Sequence, residues 1–224
     1  PSSSSTCSGS WRHEPPLATL HAGMSAEGTI GAREIDALQE IATIGCGQAL
    51  TALGKLMGRR IEMDVPEAWV GRAAGAIADF LGALGQDLVA VGVRLEGLLT
   101  GHLVLALPER DAERLAAALG YPVPGAEGWG ALAESAVMES GNIVGSAFVS
   151  ALARMVGGKL LLSVPTLARG GGTACLDRLV AREAGKVALA TRFTTDGPAA
   201  LEGLILVLPD PASLPELAAA IGIS

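Results

Sequence analysis

Hydrophobic residues recur every three or four positions between residues 32 and 57. That spacing places them on one side of an α-helix and predicts an amphipathic helix with a buried apolar face. Gly58 is expected to end the helix, and residues 59–66 then alternate between polar and apolar side chains, which predicts a strand up to Pro66. The predicted buried set of the helix is Ile35, Leu38, Ile41, Ala42, Ala49, Leu53 and Leu56.

The pattern changes again in the remainder of the first half. Residues 67–85 are rich in alanine and glycine and leave the structure open, with a short helix as one alternative. Residues 87–97 and 101–108 are rich in branched aliphatic side chains and bounded by glycine or proline, which predicts the two strands of a hairpin. Residues 109–120 predict a short helix that ends at Gly120.

The same order of elements returns in the second half. Residues 129–156 predict a long helix that Gly157 and Gly158 end. The predicted buried set of this helix is Leu132, Val137, Ile143, Val144, Phe148, Ala151 and Leu152. After it we expect a strand at residues 159–165 and a flexible stretch at 169–173. The two strands of a hairpin are expected at 186–194 and 202–209, and a short helix at 212–222.

An internal repeat therefore organises the chain. Residues 36, 40, 43 and 66 correspond to residues 135, 139, 142 and 165, and the offset is 99 at each position. Repeats of this size are typical of two halves that share one core around a pseudo-twofold axis. We expect an α/β (α+β) fold in one domain at 29–224, with half-repeats at about 32–120 and 129–224.

Composition excludes several classes of function. Half of the 224 residues are hydrophobic, 17% are charged, and the net charge of −7 argues against nucleic acid or an anionic membrane surface as a partner. The longest runs without charge, 41–54 and 140–153, are shorter than the about 20 residues that a membrane span needs. We therefore interpret them as buried helices rather than membrane spans.

The remaining chemical groups suggest no metal site. The cysteines, at positions 7, 46 and 175, are too widely spaced for a zinc site or a disulfide framework, which fits a reducing cytoplasm. The three histidines lie far apart, and we assign them no chemical role.

Residues 1–28 are expected to be either a disordered extension or an artificial remnant before a native start at Met24, and they lack the apolar stretch of a signal peptide.

A polar stripe interrupts the second long helix. Ser135, Glu139 and Asn142 stand at positions i, i+4 and i+7, hence on one face, which Ser146 and Ser150 continue. The equivalent residues of the first helix are Asp36, Glu40 and Thr43.

Two interpretations of the stripe are open. An amphipathic helix has a solvated polar side in any case. Two features favour a functional site instead: the stripe recurs at the same spacing in both halves, and Gly141 with Asn142 opposes helix propensity without a structural gain visible in the sequence.

The chemistry available to such a stripe is limited. A carboxamide is a donor and an acceptor and can hold a water molecule in line with a phosphorus atom, and a nearby glutamate can act as a base or pair with a cation on a partner. No phosphate cradle or magnesium site accompanies the stripe, since the glycines of segment 45–49 (GCGQA) favour close helix packing rather than a nucleotide loop.

The two long segments resemble a known family. Residues 36–66 (DALQEIATIGCGQALTALGKLMGRRIEMDVP) and 135–165 (SAVMESGNIVGSAFVSALARMVGGKLLLSVP) resemble the signature helices of the CheC/CheX/FliY phosphatases. That signature is an acidic residue or serine, then glutamate, asparagine and, after a fixed gap, proline. The second segment matches it at Ser135, Glu139, Asn142 and Pro165. Within this family the chain looks most like CheC, with CheX as an alternative and FliY disfavoured because no switch-type domain is evident.

The resemblance implies a function and an architecture. It implies a duplicated fold in which two pseudo-symmetric helix–strand–hairpin halves share one β-sheet, with two long helices on one face. It also implies a cytoplasmic chemotaxis protein that dephosphorylates the aspartyl phosphate of a CheY-type response regulator. In that scheme Asn142 orients the attacking water and Glu139 contacts a lysine of the regulator, while Ser135, Ser146 and Pro165 contact the partner. No cofactor belongs to the chain itself, because the magnesium ion belongs to the regulator.

The first half departs from the signature. Asp36, Glu40 and Pro66 match it, but Thr43 stands where the family has asparagine. A short hydroxyl side chain cannot replace a carboxamide, so the first site is expected to be degenerate and the second to be the intact one. The alternative function is a non-catalytic adaptor that binds a response regulator or CheD.

Overall fold

The structure is a computed structural model that describes residues 32–71, 73–121, 129–180, 187–197 and 199–222. The predictions for residues 1–28, for Cys7 and for the first two histidines lie outside the described residues. The helices are α1 (Ala32–Met57), α2 (Ala73–Leu84), α3 (Glu109–Ala118), α4 (Ala131–Val156), α5 (Gly172–Leu179) and α6 (Leu214–Ala220). The strands are β1 (Ile61–Met63), β2 (Glu67–Val70), β3 (Leu88–Gly97), β4 (Gly101–Pro108), β5 (Leu160–Leu162), β6 (Thr166–Gly170), β7 (Val187–Thr195) and β8 (Glu202–Pro209).

The internal repeat is visible in the elements themselves. Helices α1 and α4 both have 26 residues, and the offset of 99 holds at both of their ends. Both helices are followed by a glycine with positive φ, Gly58 at 65° and Gly157 at 62°, a conformation that glycine adopts without a steric penalty. The sequence pattern therefore predicted the helix ends correctly, apart from two residues at the start of α4.

The two halves form one sheet by exchanging strands. Its order is β1-β7-β8-β4-β3-β5, and all neighbouring strands are antiparallel. Strands β1 and β2 of the first half pair with β7 of the second, and strands β5 and β6 of the second half pair with β3 of the first. The predicted hairpins, β3 with β4 and β7 with β8, are confirmed.

Both faces of the sheet are covered. Helices α1, α3, α4 and α6 pack with one face, and α2 and α5 pack with the other. This arrangement explains why the hairpin strands are continuous hydrophobic runs: Leu88 to Val93 is buried at every position. The two long helices lie on the same face, as the duplicated fold requires.

The structure settles one open segment and corrects another. Residues 67–85, left open by the sequence, form β2 and the short helix α2, the helix that was named as one alternative. The prediction of a flexible stretch at 169–173 is wrong, because Arg169 and Gly170 end β6 and Gly172 begins α5. A strand paired along β3 and a helix that buries Cys175 order this glycine-rich segment, which local propensity alone would leave irregular.

The predicted strands up to Pro66 and Pro165 are also shorter than expected. In the first half Met63 pairs with Phe193 and Glu67 pairs with Ala190, so residues 64–66 stand opposite residues 191–192. Residues 163–165 likewise stand opposite residues 93–94. Each half therefore carries a β-bulge, and its proline lies where no ladder hydrogen bond needs a donor.

The buried sets of the long helices are correct in most positions. In α4, Leu132 is 62% exposed and Ile143 is only partly buried, contrary to expectation. The face on the sheet is that of Gly141, and a helix turns about 100° per residue. Leu132, nine residues earlier, and Ile143, two residues later, therefore both point about 180–200° away from that face. In α1, Leu56 is exposed in the last turn and Ile35 is partly buried.

Helix α4 is long and apolar enough, by length and composition alone, to cross a membrane. Of its most apolar 18-residue window, 56% is buried inside the fold. The apolar side chains of α4 pack with the sheet, for example Val144, Phe148 and Leu152. Core packing therefore accounts for the apolar composition of the helix.

Candidate functional site

The polar stripe predicted on α4 lies at the surface. Its carboxamide residue, Asn142, is partly exposed, and its other members are exposed: Ser135, Glu139, Ser146 and Ser150. The opposite face of the helix is buried against the sheet. The long helix therefore presents a row of polar groups that the core does not use.

Glu139 and Asn142 have no polar contact within the described part of the chain. Neither side chain takes part in a hydrogen bond or an ion pair there, although neighbours on the same helix do. The Ser140 hydroxyl donates to the carbonyl of Ala136 at 2.9 Å, and Glu134 lies 3.8 Å from Arg169. The carboxylate and the carboxamide, one helical turn apart, thus remain available to a partner.

Glycine at position 141 has a structural reason that the sequence did not reveal. A methyl group placed on Gly141 would lie 2.4 Å from Cγ1 of Val91, far inside van der Waals contact. One placed on Gly145 would lie 3.0 Å from Cγ2 of Val93 and 3.3 Å from Cδ1 of Leu162. The expectation that Gly141 brings no structural gain is therefore wrong: the two glycines let the centre of α4 lie directly on the sheet.

The close approach also orients the stripe. Asn142 follows Gly141 directly, so its Cα is rotated about 100° from the contact with Val91. A helix held at its centre by backbone contact with a sheet has little freedom to roll. The carboxamide is therefore presented from a rigid element, which is what precise positioning of a small molecule such as water requires.

An ion-pair cluster fixes the beginning of α4. The guanidinium of Arg169 lies 5.0 Å from the ring centre of Trp129, pairs with Glu109 and lies 3.8 Å from Glu134. The cluster joins β6, α3 and the first turn of α4, the helix that carries the stripe. Sequence reasoning missed Arg169, which it placed in a flexible stretch. Its partners lie far away in the sequence, so no local pattern indicated these contacts.

The matching stripe on α1 differs at its centre. Asp36, Glu40 and Thr43 are all exposed, like their counterparts in the second half. The Thr43 hydroxyl donates a hydrogen bond of 2.7 Å to the carbonyl of Gln39, one turn earlier. Its one proton is therefore directed into the helix backbone and not toward solvent.

The two stripes lie on neighbouring helices and make no polar contact with each other in the described residues. Helices α1 and α4 pack against each other, and a methyl group placed on Gly45 of α1 would lie 2.5 Å from the Phe148 ring of α4. No hydrogen bond or ion pair within the described residues joins a member of one stripe to a member of the other. The fold thus carries two polar stripes of one kind, one of them with a carboxamide.

Pro165 lies outside the helix that carries the stripe. It is partly buried and lies in the β-bulge between β5 and β6, two strands that α4 contacts. Leu162, three residues earlier, is the side chain that Gly145 approaches. The bulge is therefore a neighbour of the stripe in space.

Comparison with known proteins agrees with this arrangement. The model of the CheC-like family matches residues 34–69 and 132–169, which are the helix, bulge and edge-strand units of the two halves. The CheY-P phosphatase CheC of Bacillus subtilis (strain 168) is 32% identical over 145 residues, 63% of this chain and 69% of the relative. The chain belongs to the CheC-like family.

Solved structures share the fold at lower sequence identity. FliY of Thermotoga maritima matches with a TM-score of 0.63 and 17% identity, over 86% of this chain and 98% of that one. CheX in the CheX-CheY-BeF3-Mg+2 complex of Borrelia burgdorferi matches with a TM-score of 0.52 and 17% identity, over 79% of this chain and 99% of that one. At these identities the likeness concerns the fold, and the roles of individual residues need their own argument.

Proposed function

We propose that the chain hydrolyses the aspartyl phosphate of a CheY-type response regulator, with one competent site, on α4, and one degenerate site, on α1. The observation that carries the proposal is the pair of Glu139 and Asn142, which share an exposed helix face without polar partners in the described residues. Two relatives support the proposal: the CheY-P phosphatase CheC, which is similar in sequence, and a CheX solved together with CheY, which shares the fold.

Asn142 orients the attacking water in this proposal. Its carbonyl oxygen accepts a hydrogen bond from the water while its amide group donates one to a phosphoryl oxygen, since a carboxamide carries both functions. The water oxygen forms a bond to phosphorus as the bond from phosphorus to the aspartate oxygen breaks. The products are inorganic phosphate and the free aspartate. Positioning of this kind suffices because phosphoryl transfer demands little covalent chemistry from the protein.

Glu139 and the rest of the stripe bind the regulator. We assign Glu139 to an ion pair with a lysine of the regulator and Ser135, Ser146 and Pro165 to the surrounding contact. The stripe holds one carboxylate, whereas Mg²⁺ demands near-octahedral oxygen coordination. The donor set therefore fits a magnesium ion held by the regulator and not by this chain. The cytoplasm, where such regulators work, is the proposed location.

The first site is degenerate in the same scheme. Asp36 and Glu40 remain available for recognition, but the Thr43 proton is engaged by Gln39. A threonine side chain is also shorter than an asparagine and lacks the planar donor–acceptor pair. We infer that this half contributes little to turnover.

A turnover experiment separates the enzyme from a non-catalytic adaptor. The regulator is phosphorylated with acetyl phosphate, freed of the donor, and mixed with the full chain at one part in twenty. Catalysis predicts that release of inorganic phosphate accelerates in proportion to the chain and continues for many turnovers. An adaptor that only binds the regulator or CheD predicts either no acceleration or an effect that saturates at one-to-one, and that outcome would contradict the proposal.

A further inference from the structure

The β-bulges of the two halves expose a valine each. Val164 is 84% exposed and Val65 is 81% exposed, and they are equivalent residues of the repeat, each directly before the proline of its bulge. Both bulges are fixed by the backbone, since the amide of Ser163 donates to the carbonyl of Arg94 at 3.0 Å and that of Asp64 to the carbonyl of Arg192 at 2.9 Å. The two valines are thus held at the surface by ordered structure.

Val164 lies beside the stripe of α4. Leu162, two residues before it, is approached by Gly145, the residue that precedes Ser146 in the stripe. Consecutive Cα atoms are about 3.8 Å apart, so Val164 lies within about 8 Å of the Leu162 backbone. A standard interface covers about 800 Å² per partner, or a patch about 30 Å across. Val164 therefore lies near the rim of a patch of this size centred on Asn142.

Val65 belongs to the other end of the sheet. Its bulge lies beside β7 and α1, and Val164 lies beside β3 and α4. Between β1 and β5 the sheet has five strand spacings, which separate the two edges by about 24 Å at about 4.8 Å each. Two valines of nearly equal exposure and equal local structure thus flank the competent site and the degenerate site respectively.

We propose that Val164 is an apolar anchor for the phosphorylated response regulator docked on α4, and that it sets the affinity of the complex. The inference rests on the proposed function, because the occupant is the regulator that presents its phosphoryl group to Asn142. An exposed apolar side chain that a partner covers contributes binding energy because its surface leaves water.

Charges on the same helix favour this occupant over a second copy of the chain. Glu139 stands near one end of the stripe and Arg154, four residues beyond Ser150, near the other, and neither has a hydrogen bond or an ion pair in the described residues. They lie about 22 Å apart along the helix at 1.5 Å per residue. A partner that offers complementary charges at both ends docks in one orientation. The net charge of −7 disfavours self-association.

The test compares Val164→Asp with Val65→Asp, which introduces the same charge at the equivalent bulge. We expect Val164→Asp to raise KM for the phosphorylated regulator about tenfold, or about 1.4 kcal/mol, because the variant loses the apolar contact and places a charge against the partner. We expect kcat to change less than about twofold, because Val164 does not touch the reacting atoms. Val65→Asp should leave KM unchanged, and Val164→Ile, which keeps an apolar side chain, should leave KM at the wild-type value. Thermal unfolding of the variants checks that the fold is intact.

A binding measurement keeps this inference distinct from the proposed function. Isothermal titration uses the regulator loaded with beryllofluoride and magnesium, which does not turn over. If the wild-type chain binds this regulator but releases no phosphate from the phosphorylated one, the proposed function fails, and a weaker complex of Val164→Asp alone still supports the anchor. Equal binding of wild type and Val164→Asp, equal losses in both Asp variants, no binding at all, or dissociation of a dimer of this chain by Val164→Asp would each overturn the anchor.

Discussion

Gly141→Ala tests the contact that seats α4 on the sheet. In an exposed helix the substitution stabilises by about 1 kcal/mol, because alanine loses less backbone entropy than glycine. At position 141 the new methyl carbon would stand 2.4 Å from Cγ1 and 2.7 Å from Cβ of Val91. Over-packing of a dense core costs about 1–3 kcal/mol. The net expectation is a destabilisation of up to about 2 kcal/mol.

Gly47→Ala in α1 is the matched control. Gly47 also lies inside a long helix, but a methyl group there meets no atom within 4 Å. Helix propensity then acts alone and predicts a stabilisation of about 1 kcal/mol. The difference between the two variants cancels propensity and leaves the cost of over-packing, about 1–3 kcal/mol.

Urea unfolding followed by circular dichroism measures both variants. A chain of this size shifts its Tm by about 2–4 °C per kcal/mol, so thermal scans give a second estimate. In a Val91→Ala background the contact with Cγ1 disappears but that with Cβ remains, so part of the cost of Gly141→Ala should be recovered. If Gly141→Ala stabilises the protein as much as Gly47→Ala does, the close approach of α4 to the sheet is refuted.

Two further predictions concern the core. Leu152→Ala should reduce the free energy of unfolding by about 2–5 kcal/mol, whereas Leu132→Ala should change it by less than about 0.5 kcal/mol, because Leu152 is buried and Leu132 is exposed; denaturant titration of the pair checks this, and equal losses would contradict the assigned helix face. Burial raises the pKa of the Cys46 thiol to about 12, so alkylation by iodoacetamide at pH 8 should modify Cys46 slowly in the native chain and rapidly in urea, as peptide mass spectrometry would show; rapid native labelling would contradict the burial.

The long helices and hairpins could be predicted from the sequence because their signals are local. Hydrophobic periodicity and the glycines at 58 and 157 set the helices, and the constant offset of 99 revealed the duplication. The face of α4 was assigned less well, because Leu132 and Ile143 are hydrophobic but lie away from the sheet. Which side of a helix is buried depends on its neighbours, and periodicity alone leaves it uncertain by a residue or two.

The features that the sequence did not give depend on contacts between distant segments. Gly141 is explained by Val91, fifty residues earlier. Arg169 acquires its role from Glu109 and Trp129, and the bulges at Pro66 and Pro165 arise from pairing with the opposite half. Tertiary contact overrides local propensity at each of these places. The stripe itself could be found because the repeat showed it twice.

Phosphate release by Asn142→Ala and Thr43→Ala, side by side, tests the central claim most directly. Both residues lie on exposed faces of long helices, and alanine has the higher helix propensity, so neither variant should lose stability. We expect Asn142→Ala to lose most of its turnover with a phosphorylated CheY-type regulator while it still binds the beryllofluoride-loaded regulator, and Thr43→Ala to keep nearly the full rate. Full activity in Asn142→Ala, or equal losses in the two variants, would contradict a single competent site on α4.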